Sequence, residues 1–438
     1  MHRELSKLLL YSGVLRGGGT SLARLGDILR RFEGGETGDA LLREVHAQSL
    51  CLIGLATRYG FEGDLWQNYL TWLLLTDENP FSLGCEGPSG DLPDGESVPG
   101  GSLDVLARQD LEVFRGLFAF DFGPLERALG TGGLSILRSF KAGRTGRPHP
   151  AGPLVRDMSE KIAHSKSAGE ALSLLKNFYR AHGVGALAFH RAFHVNGELA
   201  LEPIEAVEPA SLDALAGYEV QKRELRANTE AFLAGRPANN VLLYGDGGTG
   251  KSTSVRALVN DYFNSGLRMV ELYRQQFAAL PSILAVLRRR SYRFILFIDD
   301  LSFEEHETEY KALKAAVEGG LEARPENVLI YATSNRRHLI RETWGDRDDM
   351  ERSGDIHRSD TVEEKLSLAS RFGLALNYSA PNRKEYHEIV CALARSASLP
   401  VSDALTKGAD AWEIRHGGVS GRTARQYIDH LAGRGHDL

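Results

Sequence analysis

The residues best suited to chemistry form one run, Gly245-Asp246-Gly247-Gly248-Thr249-Gly250-Lys251-Ser252, which fits G-x-x-x-x-G-K-[ST] at every fixed position. The apolar run Asn240–Tyr244 leads in and a helical apolar period from Val255 to Phe263 leads out, so the spacing predicts a strand, a tight loop and a helix. There the loop N–H groups and the helix N-terminus point together at a polyphosphate. Glycine suits such a loop because side chains would block the approach. Lys251 would set its ammonium between the β- and γ-phosphates, and the Ser252 hydroxyl would complete the coordination of Mg2+, with Thr253 closing the nucleotide-contacting set. The alternative is a glycine-rich turn without a ligand.

A second constellation follows Phe294–Ile298, where a continuous apolar strand ends in Asp299-Asp300. Ligands of parallel sheets bind at that end. Asp299 suits a metal-holding role through water, and Asp300 could polarise a water for attack on the γ-phosphate; an Asp pair can also simply cap a helix. The next apolar run, Val328–Thr333, leads into Ser334-Asn335-Arg336-Arg337. If it lies between the strands of Lys251 and Asp299, Asn335 faces the γ-phosphate and can hold the attacking water; otherwise it is a turn Asn. His190 and His194 stand four apart, as two zinc ligands on one helical face would. The metalloprotease pattern needs Glu after the first His, where Arg191 stands, so ordinary helix or strand histidines are the better reading.

The elements that must position these groups fall on either side of residue 205. Residues 1–205 read as mainly helical, with Leu22, Leu25, Ile28 and Leu29, and then Leu65, Tyr69, Leu70 and Leu73, at helical spacing. Glycine-rich loops are expected near 79–102 and 143–152. From 206 to 380 short β-rich runs alternate with helical stretches, adding Met269–Tyr273 and Leu374–Tyr378 to the strands above and predicting an α/β parallel sheet covered on both faces. Residues 381–438 then read as a small helical lid, through Glu385–Ser396, Asp403–Ile414 and Arg422–Leu431.

The whole chain sets broad limits. Its 438 residues suffice for two or three domains, and 42% hydrophobic with 25% charged residues is ordinary for a globular protein. Lys+Arg 52 against Asp+Glu 58 gives a net charge of −6, which argues against coating nucleic acid by bulk electrostatics. No apolar stretch is long enough for a membrane span, and three scattered cysteines suit a reducing, cytoplasmic setting.

The ordered set of phosphate loop, Asp299-Asp300, Thr333-Ser334-Asn335, Ser370-Arg371-Phe372-Gly373 and Ser420-Gly421-Arg422 resembles the AAA+ ATPases. It is most similar to a bacterial AAA+ family known only as a domain of unknown function, from about Leu215 to the C-terminus, through strings such as Gly217-Tyr218-Glu219-Val220-Gln221-Lys222 and Asp299-Asp300-Leu301-Ser302-Phe303-Glu304. The resemblance implies a phosphate-loop sheet of five parallel strands in the order 5-1-4-3-2, a helical lid, and ATP between them. By that analogy Gly217 and Tyr218 lie near the adenine, Asn335 is the first sensor, Arg371 is the arginine finger reaching a neighbouring subunit, and Arg422 is the second sensor, with Arg425 one turn on as a substitute. Fixed guanidinium groups would stabilise charge on the transferring phosphoryl group. Where AAA+ proteins commonly carry Glu after the metal-binding Asp, this chain has Asp300, with Glu304 and Glu305 close behind, so the base is either Asp300 or Glu304. Arg274-Gln275-Gln276-Phe277 lacks the aromatic-x-Gly pore loop of threading unfoldases.

Arg288-Arg289-Arg290 with Tyr292 and Arg293 could grip a nucleic-acid strand, although cations also suit a helix end. Three functions compete. The leading one is an oligomeric ATPase that hydrolyses ATP with Mg2+ and remodels a protein or DNA partner. The others are a slow ATP-dependent switch or loader on DNA, and a small-molecule kinase.

Overall fold

The computed structural model describes residues 2–16, 22–86, 101–132, 134–141, 149–302, 309–318, 325–335 and 371–434. Glu304, Glu305, Arg336, Arg337 and Ser370 lie outside them, as do most of the two glycine-rich stretches. The chain divides into two compact units, Met1–Phe189 and His190–Leu438. The division falls ahead of residue 205, because two short strands between Ala192 and Pro203 join the second unit's sheet.

The first unit is helical. Leu65–Thr76 packs on Ala151–Ala163, and Ser102–Phe118 packs on Ala168–His182. The periodic leucines are the reason: Leu65, Tyr69, Leu70 and Leu74 lie on the buried side of one helix, while Asp64 caps it by accepting from Gln67 N. Several buried polar groups are satisfied within the core. Trp66 Nε1 donates to Leu117 O at 2.7 Å, and the Tyr11 and Tyr179 hydroxyls meet at 3.0 Å. The buried Asp110 carboxylate accepts from Leu9 N and Tyr11 N and so fastens the N-terminal segment.

In the second unit the strands are β1 (Ala192–Val195), β2 (Leu201–Pro203), β3 (Val241–Gly245), β4 (Leu267–Glu271), β5 (Arg293–Ile298), β6 (Val328–Ser334) and β7 (Leu374–Tyr378). They form one seven-stranded sheet in the order β2-β1-β4-β5-β6-β3-β7. Among the described residues of this sheet only β1 and β2 pair antiparallel. The count therefore differs from the five strands the resemblance implies. The additional hairpin extends the β4 edge, where Phe193 pairs with Val270. His190 and His194 consequently share no helical face, since His194 is a strand residue. Among the described residues no group of three or more His, Cys, Asp and Glu side chains could hold a metal.

β5 and β6 are buried almost throughout, as central strands covered on both faces must be. Their alignment places Phe297 opposite Tyr331 and Leu243 opposite Thr333, so the polar residues after each apolar run emerge together at one end of the sheet. Beyond β7, helices Arg383–Ser396, Asp403–His416 and Gly421–Gly433 enclose a core of their own around Tyr386, Val390, Leu405, Ala409 and Ile428. Asn382, Ser402 and Ser420 cap these helices with side-chain oxygens on backbone N–H groups. Among the described residues no helix is long and apolar enough to cross a membrane.

Candidate functional site

The loop after β3 turns sharply at glycines, of which Gly245 is the most constrained. Gly245 has φ +132°, and a Cβ there would strike the Tyr378 carbonyl of the neighbouring strand. Asp246 N donates to that same carbonyl at 3.0 Å, and the Asp246 carboxylate accepts from Ala380 N at 2.6 Å, so the loop is fastened to the end of β7. Gly248 and Gly250 also have positive φ, and Gly250 opens the helix Lys251–Tyr262. Thr249 Oγ1 closes the loop internally on Asp246 O at 2.9 Å.

Lys251 is buried, and its ammonium donates to three neutral oxygens: Gly245 O at 2.9 Å, Asp246 O at 2.6 Å and Asn335 Oδ1 at 3.0 Å. Desolvation lowers its pKa from the usual lysine value, opposed by the negative charges of Asp246, Asp300 and Asp299. An anion brought to this ammonium would meet a cation already stripped of much of its water.

The acidic end of β5 is held from its neighbours. Asp299 Oδ1 accepts from Ser252 Oγ at 2.5 Å and from Thr333 Oγ1 at 2.6 Å, while Oδ2 accepts from an Arg256 guanidinium nitrogen at 3.0 Å. Asp300 has φ +50°, unusual for a residue with a side chain, and its backbone N–H donates to Thr333 Oγ1 at 3.0 Å. Asn335 Nδ2 donates to Asp300 Oδ1 at 2.8 Å. Thus Lys251, Ser252, Asp299, Asp300 and Asn335, chosen on sequence, share one connected polar network.

The lid reaches the same place. Arg422 N–H donates to Gly248 O at 3.1 Å, which sets the N-terminus of helix Gly421–Gly433 on the loop. Gly217 lies against Ile389 of the lid, and Tyr218, itself at φ +59°, stacks on Tyr378 with ring centroids 4.8 Å apart. The Tyr218 hydroxyl donates to Ser379 O at 2.8 Å. Gly247 and Thr253 occupy the loop and the first helical turn beside the other residues of the motif. Arg371 is not brought here. It precedes β7, whose C-terminal residue Tyr378 pairs with Gly245, so it stands at the other end of the strand. At about 3.3 Å per residue, the four steps from Leu374 to Tyr378 put roughly 13 Å of strand between that end and the loop.

The residues fit a nucleoside polyphosphate with a divalent cation. A glycine cradle admits close approach, a desolvated ammonium faces it, and Ser252 with Asp299 supplies the hard oxygen donors that Mg2+ favours. Two members of the network were not singled out on sequence. Arg256 stands four residues after Ser252, a spacing that puts both on one helical face and so carried the signal. Thr333 stands on sequence as a strand end and within the string Thr333-Ser334-Asn335 with no role of its own, although its hydroxyl reaches both Asp299 and Asp300.

A family described as "Protein of unknown function (DUF815)" matches residues 186–435. The chain belongs to this family. The DUF815 match begins ahead of Leu215, where the sequence resemblance was drawn, and takes in β1 and β2. A replication factor C large subunit from Methanococcus vannielii is 39% identical over 61 residues, which are 14% of this chain and 12% of that protein. Among solved structures, the Thermotoga maritima RuvB Holliday junction branch migration motor is 20% identical, with a TM-score of 0.36 over 52% of this chain and 65% of that one. A variant of Thermotoga maritima RuvB is 21% identical at a TM-score of 0.36, covering 51% and 66%.

Proposed function

We propose that this DUF815 chain is an AAA+ ATPase that binds and hydrolyses ATP with Mg2+, works as a homo-oligomer, and couples its cycle to rearrangement of a macromolecular partner. The observation that carries the reading is the polar network in which Lys251 and Asp300 are joined through the two ends of the Asn335 amide. The run β7-β3-β6-β5-β4 within the sheet supports the strand order 5-1-4-3-2 that this reading expects.

In this proposal Gly245, Gly247, Gly248, Thr249, Gly250 and Thr253 hold the phosphates with Lys251, while Gly217 and Tyr218 hold the adenine. Mg2+, when bound by Ser252 and Asp299, would supply positive charge to the phosphate oxygens. Asp300 accepts the proton of a water as its oxygen bonds to the γ-phosphorus and the bond to the β-phosphate oxygen breaks, giving ADP and phosphate. Asn335 orients that water, and Arg422 follows the phosphates from the lid. Arg371 serves a neighbouring copy's site, which its place at the far end of β7 supports.

The reading as a slow switch or loader on DNA loses part of its ground at Tyr292. That ring is buried, and the Arg268 guanidinium lies 4.4 Å from its centroid, so it offers no face for a base. The deciding experiment is Mg2+-dependent ATP binding and turnover by the purified chain beside Lys251→Ala. The variant should lose about 10- to 100-fold in affinity, the worth of a charged hydrogen bond to phosphate. Equal binding by both proteins would overturn the reading.

A further inference from the structure

Arg256 is held on several sides at the end of the sheet. Its guanidinium donates to Asp299 Oδ2 at 3.0 Å, stands 3.8 Å from Glu271 Oε1 at the end of β4, and lies 5.7 Å from the centroid of the Phe297 ring on β5. Glu271 is itself steadied from the added hairpin side, with His194 Nδ1 at 3.5 Å and the Tyr273 hydroxyl at 3.4 Å. The bridge therefore spans the Lys251–Tyr262 helix, β4 and β5, and none of its members belongs to the phosphate-loop motif.

The two oxygens of Asp299 have different work. Oδ1 meets the hydroxyls of Ser252 and Thr333, and Oδ2 meets the Arg256 guanidinium. Hydroxyl rotors alone leave a carboxylate free to turn about its last bond, whereas an always-charged guanidinium nitrogen on the second oxygen restricts that turn. With Glu271 on its other side, Arg256 carries one positive charge between two negative ones, so the local field stays negative and suited to a cation.

We propose that Arg256 is a positioning residue for the divalent-cation site: bridging Asp299 and Glu271, it keeps Asp299 Oδ1 turned toward Ser252 and so sets how strongly Mg2+ tightens nucleotide binding. The proposal rests on the nucleotide reading of the site. It separates from a simple charge effect by sign. A guanidinium that merely diluted the negative field would weaken Mg2+, and its removal would tighten the metal. A guanidinium that orients the carboxylate strengthens Mg2+, and its removal loosens the metal.

The test titrates a methylanthraniloyl derivative of ATP into the full chain, once in EDTA and once in excess Mg2+, and compares Arg256→Met, Arg256→Gln and Arg256→Lys with the unmodified protein. Circular dichroism melting identifies which variants are folded, and the two neutral replacements make the result independent of either one. Met and Gln should keep the EDTA affinity within about twofold and lose about tenfold of the gain from Mg2+, the usual cost of removing a partner of a metal-ligating carboxylate. Lys should recover part of that gain. Unchanged or increased Mg2+ dependence in a folded neutral variant overturns the proposal, as does an equal loss with and without metal. If the unmodified protein gains nothing from Mg2+, the nucleotide reading falls and takes this inference with it; a gain that the neutral variants retain overturns this inference alone.

Discussion

Asn335 Nδ2 donates to Asp300 Oδ1 at 2.8 Å, joining the ends of two adjacent parallel strands across the mouth of the site. Asp300 is held at φ +50°, with its N–H on Thr333 Oγ1, so β6 fixes both its backbone and its side chain. Unusual backbone held in place by neighbours is common where function demands one side-chain direction.

If Asp300 is the general base, Asp300→Asn should keep ATP affinity within a few-fold and slow turnover by about 10²- to 10⁴-fold, the usual range for proton transfer by a positioned group. Single-turnover hydrolysis with a parallel binding titration measures both quantities. Normal turnover in the variant would move the role to Glu304.

The loop glycines make a separate prediction about folding. Gly245→Ala imposes a side chain at φ +132° and drives its Cβ into the Tyr378 carbonyl. The backbone conformation alone should cost about 1–3 kcal/mol, and the collision more. Thermal melting should fall by several degrees, and a melting curve matching that of the unmodified protein would contradict the tight β3–β7 junction.

Much of this site was legible because its residues follow one another along the chain. The phosphate loop, Asp299-Asp300 and Asn335 each stand at the end of a short apolar run, and strand ends in a parallel sheet converge on one edge. The hairpin β1–β2 was not legible. Its strands are only Ala192–Val195 and Leu201–Pro203, too short for alternation to mark them. Arg256 to Glu271 and Thr333 to Asp299 are contacts across elements, set by sheet order and register rather than by local sequence. Tyr292 misled for the converse reason: its basic neighbours suggest a surface, yet the ring is covered by Arg268, distant in sequence from that cluster.

Cysteine chemistry probes the first unit independently of any nucleotide. Burial pushes the Cys85 thiol up to about 11, while Cys51 and Cys391 are partly exposed. Because the thiolate is the reactive form, Cys85 should be the slowest of the three toward iodoacetamide at neutral pH and should speed up on denaturation. Mass spectrometry of alkylated peptides reads the order directly. Early labelling of Cys85 in the native protein would be incompatible with its place in the helical core.

The last prediction concerns Arg371, which stands at the far end of β7 from its own chain's loop. If a neighbouring copy supplies this guanidinium, Arg371→Ala alone should bind ATP and turn it over slowly, losing about 10³-fold or more as for other arginine fingers. Lys251→Ala alone should turn over little ATP at concentrations that saturate the unmodified protein, because its affinity is about 10- to 100-fold weaker. Mixing the two creates interfaces in which an intact Lys251 loop meets an intact Arg371, so activity should reappear and peak at intermediate ratios. The rate of the unmodified protein should also rise more steeply than in proportion to its concentration. A mixture that never exceeds the sum of its parts, together with a strictly proportional rate, would place catalysis within one chain and remove Arg371 from the site.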